Sequence, residues 1–139
     1  MASSYALDKA FNTQLLNLLK ELVRLYPNDS DMALIKHSVF IATTTMESQP
    51  RKVFVKSIEP YVSRIENKDE TFFLNASNEE YLKHADQGTD FKGTSELIDK
   101  LKSMWRSMDK KTQKSVWLYL NVLVKLGFKD KEVEVVKGT

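Results

Sequence analysis

The sequence predicts an all-α protein: a single compact bundle of five to six helices around a buried C-terminal helix, joined by one irregular, aromatic-rich connection. Three observations lead there. Apolar residues recur at spacings of three and four through most of the 139 residues, which is the period of a helix face and not of a strand. Glycine and proline number only four and three, so the chain has few interruptions. The stretch Ser115 to Gly127, SVWLYLNVLVKLG, is apolar on almost every side, and such a helix needs neighbours around it. A chain of this length fits one domain and buries roughly 70% of the surface that it exposes when unfolded.

The first helix is expected over about Tyr5 to Tyr26, where Leu7, Phe11, Leu15, Leu18, Leu22 and Leu25 form a seam that Leu16, Leu19 and Val23 widen. Pro27 stops it, and Asp29 or Ser30 in the following turn can accept a hydrogen bond from the first free amides of the next helix. That second helix is expected from about Asp31 to Glu47, with Met32, Ile35, Val39, Ala42 and Met46 inward and Leu34 and Ile41 at the flanks. Its branched Thr43, Thr44 and Thr45 crowd the preceding turn and weaken its end. Pro50 suits the first position of a third helix, where its missing N–H would have had no partner. Val53, Phe54, Ile58, Tyr61, Val62 and Ile65 keep helical spacing across Pro60, so a kink or short break is expected near Ser57 to Pro60.

From Glu66 to Gly93 the pattern weakens. Asp69 to Leu74 reads as one capped helical turn and Asn78 to Leu82 as another, with Asp86 to Gly93 as a mobile loop. Thr94 or Ser95 then caps a helix that turns Leu97, Leu101, Met104 and Met108 inward, with Ile98 and Trp105 alongside. Asp109 caps the last helix, which is expected to end at Leu126 with Gly127 as a left-handed stop. The domain is therefore 1–127. Residues 128–139 are expected as a flexible charged tail, in which Val133, Val135 and Val136 offer an apolar tether.

The net charge of +2 is unevenly spread. Residues 66–99 carry nine acids against three lysines, and residues 100–114 carry six bases against Asp109. A surface with two electrical ends suits head-to-tail pairing with further copies, or two different partners. Cysteine is absent, which removes disulfides, thiolate metal sites and thiol nucleophiles. No secretory signal is evident at the N-terminus. The longest nearly apolar run, Val116 to Val124, is about half what a membrane crossing needs, so a soluble, intracellular protein is expected. The sequons at Asn28 and Asn75 read as turn and cap residues.

Chemistry has few footholds. The two histidines, His37 and His84, fall in separate segments, and no metal-ligand spacing, nucleophile arrangement or phosphate-binding loop accompanies them. The expectation is a protein without catalytic residues, metal or cofactor, acting by protein–protein interaction, self-association or structure. Aromatic residues crowd the second half, and Phe72, Phe73, Tyr81, Phe91 and Trp105 are the candidate partner-binding residues. The alternative is a nucleic-acid-associated protein using the basic patch Lys100, Lys102, Arg106, Lys110, Lys111 and Lys114, in which residues 102, 106 and 110 align on one helical face.

The acidic connection NKDETFFLN followed by SMWRSMDKKTQKSVWLYLNVLVKLG resembles a pattern found in small all-helical proteins encoded by large DNA viruses of algae and protists. The likeness covers residues 10–127. It implies a virus-encoded or algal accessory protein, or a virion component, and it carries over no site residues.

Overall fold

The computed structural model describes residues 4–74 and 93–138, with side chains as far as Lys129. Among these residues every regular element is helical. α1 (Ser4–Leu25) is followed by α2 (Ser30–Thr45) and α3 (Gln49–Ile58). A 3-10 turn, Glu59–Tyr61, leads into α4 (Val62–Glu66), and the short α5 (Thr71–Leu74) follows. α6 (Gly93–Met104) ends in a second 3-10 turn, Trp105–Ser107, before α7 (Lys110–Gly138).

The boundaries follow local chemistry. The Asp29 carboxylate accepts from the Met32 amide at 3.1 Å and opens α2. The Asp109 carboxylate does the same for Thr112 at 2.7 Å and opens α7. Pro50 stands in the first turn of α3. Pro60 has no N–H to continue the α-helical ladder, and the chain tightens there into the 3-10 turn before α4 resumes the same apolar face. After α4, Lys68 takes a left-handed φ of 54°. The Asp69 amide then reaches back to the Arg64 carbonyl at 2.8 Å, closing the helix end in the manner that glycine usually provides.

One core runs through the bundle, and α1 is its axis, packed against α2, α3 and α7. Phe11, Leu15, Leu18, Leu19 and Leu22 are all but inaccessible. They meet Met32, Ile35, Val39 and Ala42 of α2 and Val116, Leu120, Leu123 and Val124 of α7 within one continuous cluster. Polar side chains lock the joints. Asn12 donates to the Glu47 carbonyl at 2.9 Å, and Asn121 donates to the carbonyl of Ile65 at 3.1 Å. Gln113 ties the start of α7 to the Trp105 carbonyl at 2.9 Å.

Four expectations need correction. α7 does not stop at Gly127: its backbone stays helical to Gly138. Gly127 lies where α7 crosses α3, and a Cβ there would sit 3.2 Å from Cγ2 of Val55, so the glycine serves close helix approach and not a left-handed ending. The tail is thus helical in its backbone; the side chains of Val133, Val135 and Val136 lie outside the described residues. α7 is also not enclosed on all sides, for Leu118 and Val122 are 54% and 40% exposed. Thr94 and Ser95 are buried inside α6 and do not cap it; the Thr94 hydroxyl donates to the Pro50 carbonyl at 3.3 Å. Met46, expected inward, is exposed because α2 ends one residue earlier. The turn expected over Asn78 to Leu82 and the loop from Asp86 lie outside the described residues.

Candidate functional site

The aromatic residues form a cluster inside the molecule. α5 contributes Phe72 and Phe73, the turn after α6 contributes Trp105, and α7 contributes Trp117. The Phe73 and Trp105 rings stack with centroids 4.0 Å apart and planes inclined by 8°. Trp117 meets both edge-on, at 4.9 and 5.2 Å. Tyr61 packs on Phe72 at 5.9 Å. Phe72, Phe73 and Trp105 are each at most 4% exposed. These three proposed partner-binding residues are core residues, because the short α5 turns both phenylalanines inward against α6 and α7. Tyr81 and Phe91 lie outside the described residues.

The basic segment is dispersed as well. Lys102 points inward, its ammonium 4.7 Å from the Phe72 ring centre and 5.7 Å from that of Tyr61, an attraction between cation and ring face strengthened by the loss of water. Lys100 is held in ion pairs with Asp29 at 2.9 Å and Asp31 at 3.5 Å. The hydrogen bond to Asp29 raises the Lys100 pKa, and the reciprocal bond lowers that of Asp29. Arg106, Lys110, Lys111 and Lys114 are exposed. The chain leaves α6 at Met104 and re-enters a helix only at Lys110, so residues 102, 106 and 110 do not share one straight face. What the sequence presents as one patch of six is a buried cation, a paired cation and four exposed ones.

Two of the concave places among the described residues bear on these charges. A groove of about 510 Å³ runs beside α1 and α3, with Asp8, Arg51, Lys52, Lys56, Glu59 and Gly127 in its wall. At its floor Arg51 Nε donates to Asp8 at 2.7 Å, with the two side chains only 9% and 11% exposed. Arg51 Nη1 also donates to the Gly127 carbonyl at 3.2 Å. That side chain joins α1, α3 and α7. The second place is a notch of about 380 Å³ between α2 and α6, lined by Asp31, Leu34, Glu96, Asp99 and Lys100. Burial is the main cause that pushes the Asp99 carboxyl up to about 6; Lys102 opposes this and Glu96 adds to it. Asp99 Oδ1 is buried with no hydrogen-bond partner among the described residues.

Two surfaces emerge that sequence reasoning did not single out. On α2, Leu34, Phe40 and Ile41 are 68%, 50% and 46% exposed, next to exposed His37, Ser38, Thr44 and Thr45. Between Leu34 and Thr45 this outer face carries no acid, and its only formal base, Lys36, is half-buried. On α7, exposed Leu118 and Val122 stand in one line with exposed Lys111, Lys114, Lys125 and Lys129. The signal for the first was present: α2 is apolar round much of its circumference, more than one buried stripe requires.

No described trio of His, Asp and Glu side chains is arranged to hold a metal ion. Among the described residues no helix is long and apolar enough to cross a membrane. No protein-family model matches the chain, and neither does any curated protein or solved structure.

Proposed function

We propose that the protein is a non-enzymatic interaction or structural protein that works by presenting helix faces to other proteins. The observation that carries this reading is the outer side of α2, where Leu34 and Ile41 lie exposed on one face and exposed Phe40 stands about 100° round the helix from Ile41, on a helix whose inner face, Met32, Ile35, Val39 and Ala42, already fills the core. An apolar surface in excess of what folding needs is characteristic of a docking site. With Phe72, Phe73 and Trp105 used for packing, the reading rests on exposed apolar residues instead, of which α2 carries Leu34, Phe40 and Ile41. The resemblance to helical proteins of large DNA viruses belongs to the same proposal, as a virion or accessory component inside the infected cell. Its quoted residues include Phe73, Trp105 and Trp117, which pack on one another in the core.

The test is capture from the native source on immobilised protein, comparing the wild type with a Leu34→Asp/Ile41→Asp variant. Both positions are exposed, so the variant is expected to keep its thermal melt while losing its protein partners. Retention of the same partners by the variant would remove the reading. A second reading, nucleic-acid association, draws on the line of Lys111, Lys114, Lys125 and Lys129 along α7. It requires affinity for a duplex oligonucleotide that falls steeply with salt and survives the α2 substitutions.

A further inference from the structure

We infer that the partner of the α2 face is a second copy of this chain, docking through the lysine-flanked ridge of its α7. This rests on the protein-docking reading above and names the occupant. Three features of the molecule argue for it. The first is apolar fit. Leu34 and Ile41 are seven residues apart on one side of α2, about 10 Å along the axis, and Leu118 and Val122 of α7 form an apolar pair about 6 Å long that can lie between them. Such a contact covers exposed side chains on both surfaces.

Charge supplies the second feature. The N-terminal end of the α2 face opens on the notch that holds Asp31, Glu96 and Asp99. Among the described residues that line the notch the only base, Lys100, is already engaged by Asp29 and Asp31, so carboxylate is in excess there. The α7 ridge brings the opposite sign: Lys111 and Lys114 precede its apolar pair, and Lys125 and Lys129 follow it. With the two helices antiparallel and Val122 seated on Leu34, Lys125 lies three residues past Val122 just as Asp31 lies three before Leu34, about 4.5 Å along each axis. The charges then meet in register. A ridge bracketed by lysines cannot pair with its own copy, where like charges would face each other.

The third feature is position. α1 packs against both α2 and α7 and stands between them, so docking one face leaves the other open. The contact is heterologous, and successive copies add head to tail. A single helix-on-helix contact of this kind is at the small, weak end of protein interfaces, so the assembly forms only at high concentration or on a scaffold that concentrates it.

The experiment is sedimentation velocity of the full chain over a wide concentration series, with Leu34→Asp and Leu118→Asp as separate variants. Both residues are more than half exposed, and unchanged circular dichroism melts check that both variants fold. The wild type is expected to grow beyond a dimer with concentration and to dissociate as salt rises. Each variant alone is expected to stay monomeric, with association weakened at least about tenfold. Mixing the two is the decisive step. The Leu34→Asp chain keeps its α7 ridge and the Leu118→Asp chain keeps its α2 face, so the mixture is expected to form a one-to-one dimer and nothing larger. A wild type that stays monomeric throughout, a single variant that still assembles, or a mixture that stays monomeric while the wild type assembles each overturns the inference. None of these touches the wider docking reading, which fails only if the Leu34→Asp/Ile41→Asp variant retains the captured partners.

Discussion

Replacing Arg51 by Met is expected to destabilise the fold by about 2 to 4 kcal/mol. The side chain is 9% exposed and its Nε lies 2.7 Å from an Asp8 carboxylate that is 11% exposed. Removing one member of a buried pair leaves the other charged and uncompensated, which costs about 3 to 5 kcal/mol. The neighbouring groove of about 510 Å³ gives water a route to Asp8 and lowers that figure. Losing the bond to the Gly127 carbonyl adds little, because that carbonyl lies within the backbone ladder of α7. Asp8→Asn should cost less than Arg51→Met, since Arg51 keeps its carbonyl acceptors on α7. The double variant Asp8→Asn/Arg51→Met, with no stranded charge, is expected within about 1 kcal/mol of the wild type. Urea unfolding followed by circular dichroism measures all four proteins. An Arg51→Met cost below about 1 kcal/mol, or a double variant as unstable as the two singles summed, would refute the claim that the pair acts as one buried unit.

Three further outcomes are expected. Leu120 is 1% exposed in the α1–α7 contact, so Leu120→Ala should cost about 2 to 5 kcal/mol in the same melts, and an unchanged midpoint would show that α7 is not a core element. Gly127→Ala sets a gain in helix propensity of up to about 1 kcal/mol against a Cβ placed 3.2 Å from Val55; the change should be small in the wild type and clearly stabilising when Val55 is also Ala, and equal effects in both backgrounds would deny the close approach. For Asp99, the folded carboxyl titrates at about 6 against an ordinary 3.8. The folded state therefore holds more protons than the unfolded one across that interval, and stability falls as pH rises through it. Asp99→Asn should remove this dependence. The gain at about pH 7 should be about 1 kcal/mol, well below the roughly 3 kcal/mol that the full displacement implies, since solvent in the notch screens the charge. Near pH 4 the gain should vanish, and an equal gain at both values would show that burial of the charge is not its source.

Periodicity and capping chemistry were enough to read most of the helices. The seam of α1 from Leu7 to Leu22, the cap at Asp29, the interruption at Pro60 and the cap at Asp109 are local properties, decided by residues within a turn or two of each other, and they stand where the sequence puts them; Leu25, expected to end the seam, is instead exposed in the last turn of α1. The candidate site was much less legible. Phe72, Phe73 and Trp105 are as suitable for a docking patch as for a core when only their chemistry is known. Their burial depends on α5 turning inward against helices that begin about twenty and about forty residues further along the chain. Lys102 misled for the same reason: a lysine next to a tryptophan reads as a basic surface until Phe72 and Tyr61 are seen to close over it.

By itself, then, the sequence determined that this chain is helical, where most of its helices begin and break, and that cysteine chemistry is excluded. Those results depend on short-range spacing, on proline's missing N–H and on side chains that cap their own helix. The tertiary structure decided which faces are spare. Gly127 passes from a helix stop to a crossing point because Val55 of α3 lies against it. Leu118 and Val122 pass from core to surface because α7 finds neighbours on one side only. An apolar residue is equally satisfied by a distant helix of its own chain or by another molecule, and only the packing of α1 against α2 and α7 shows which side chains have been left for the second.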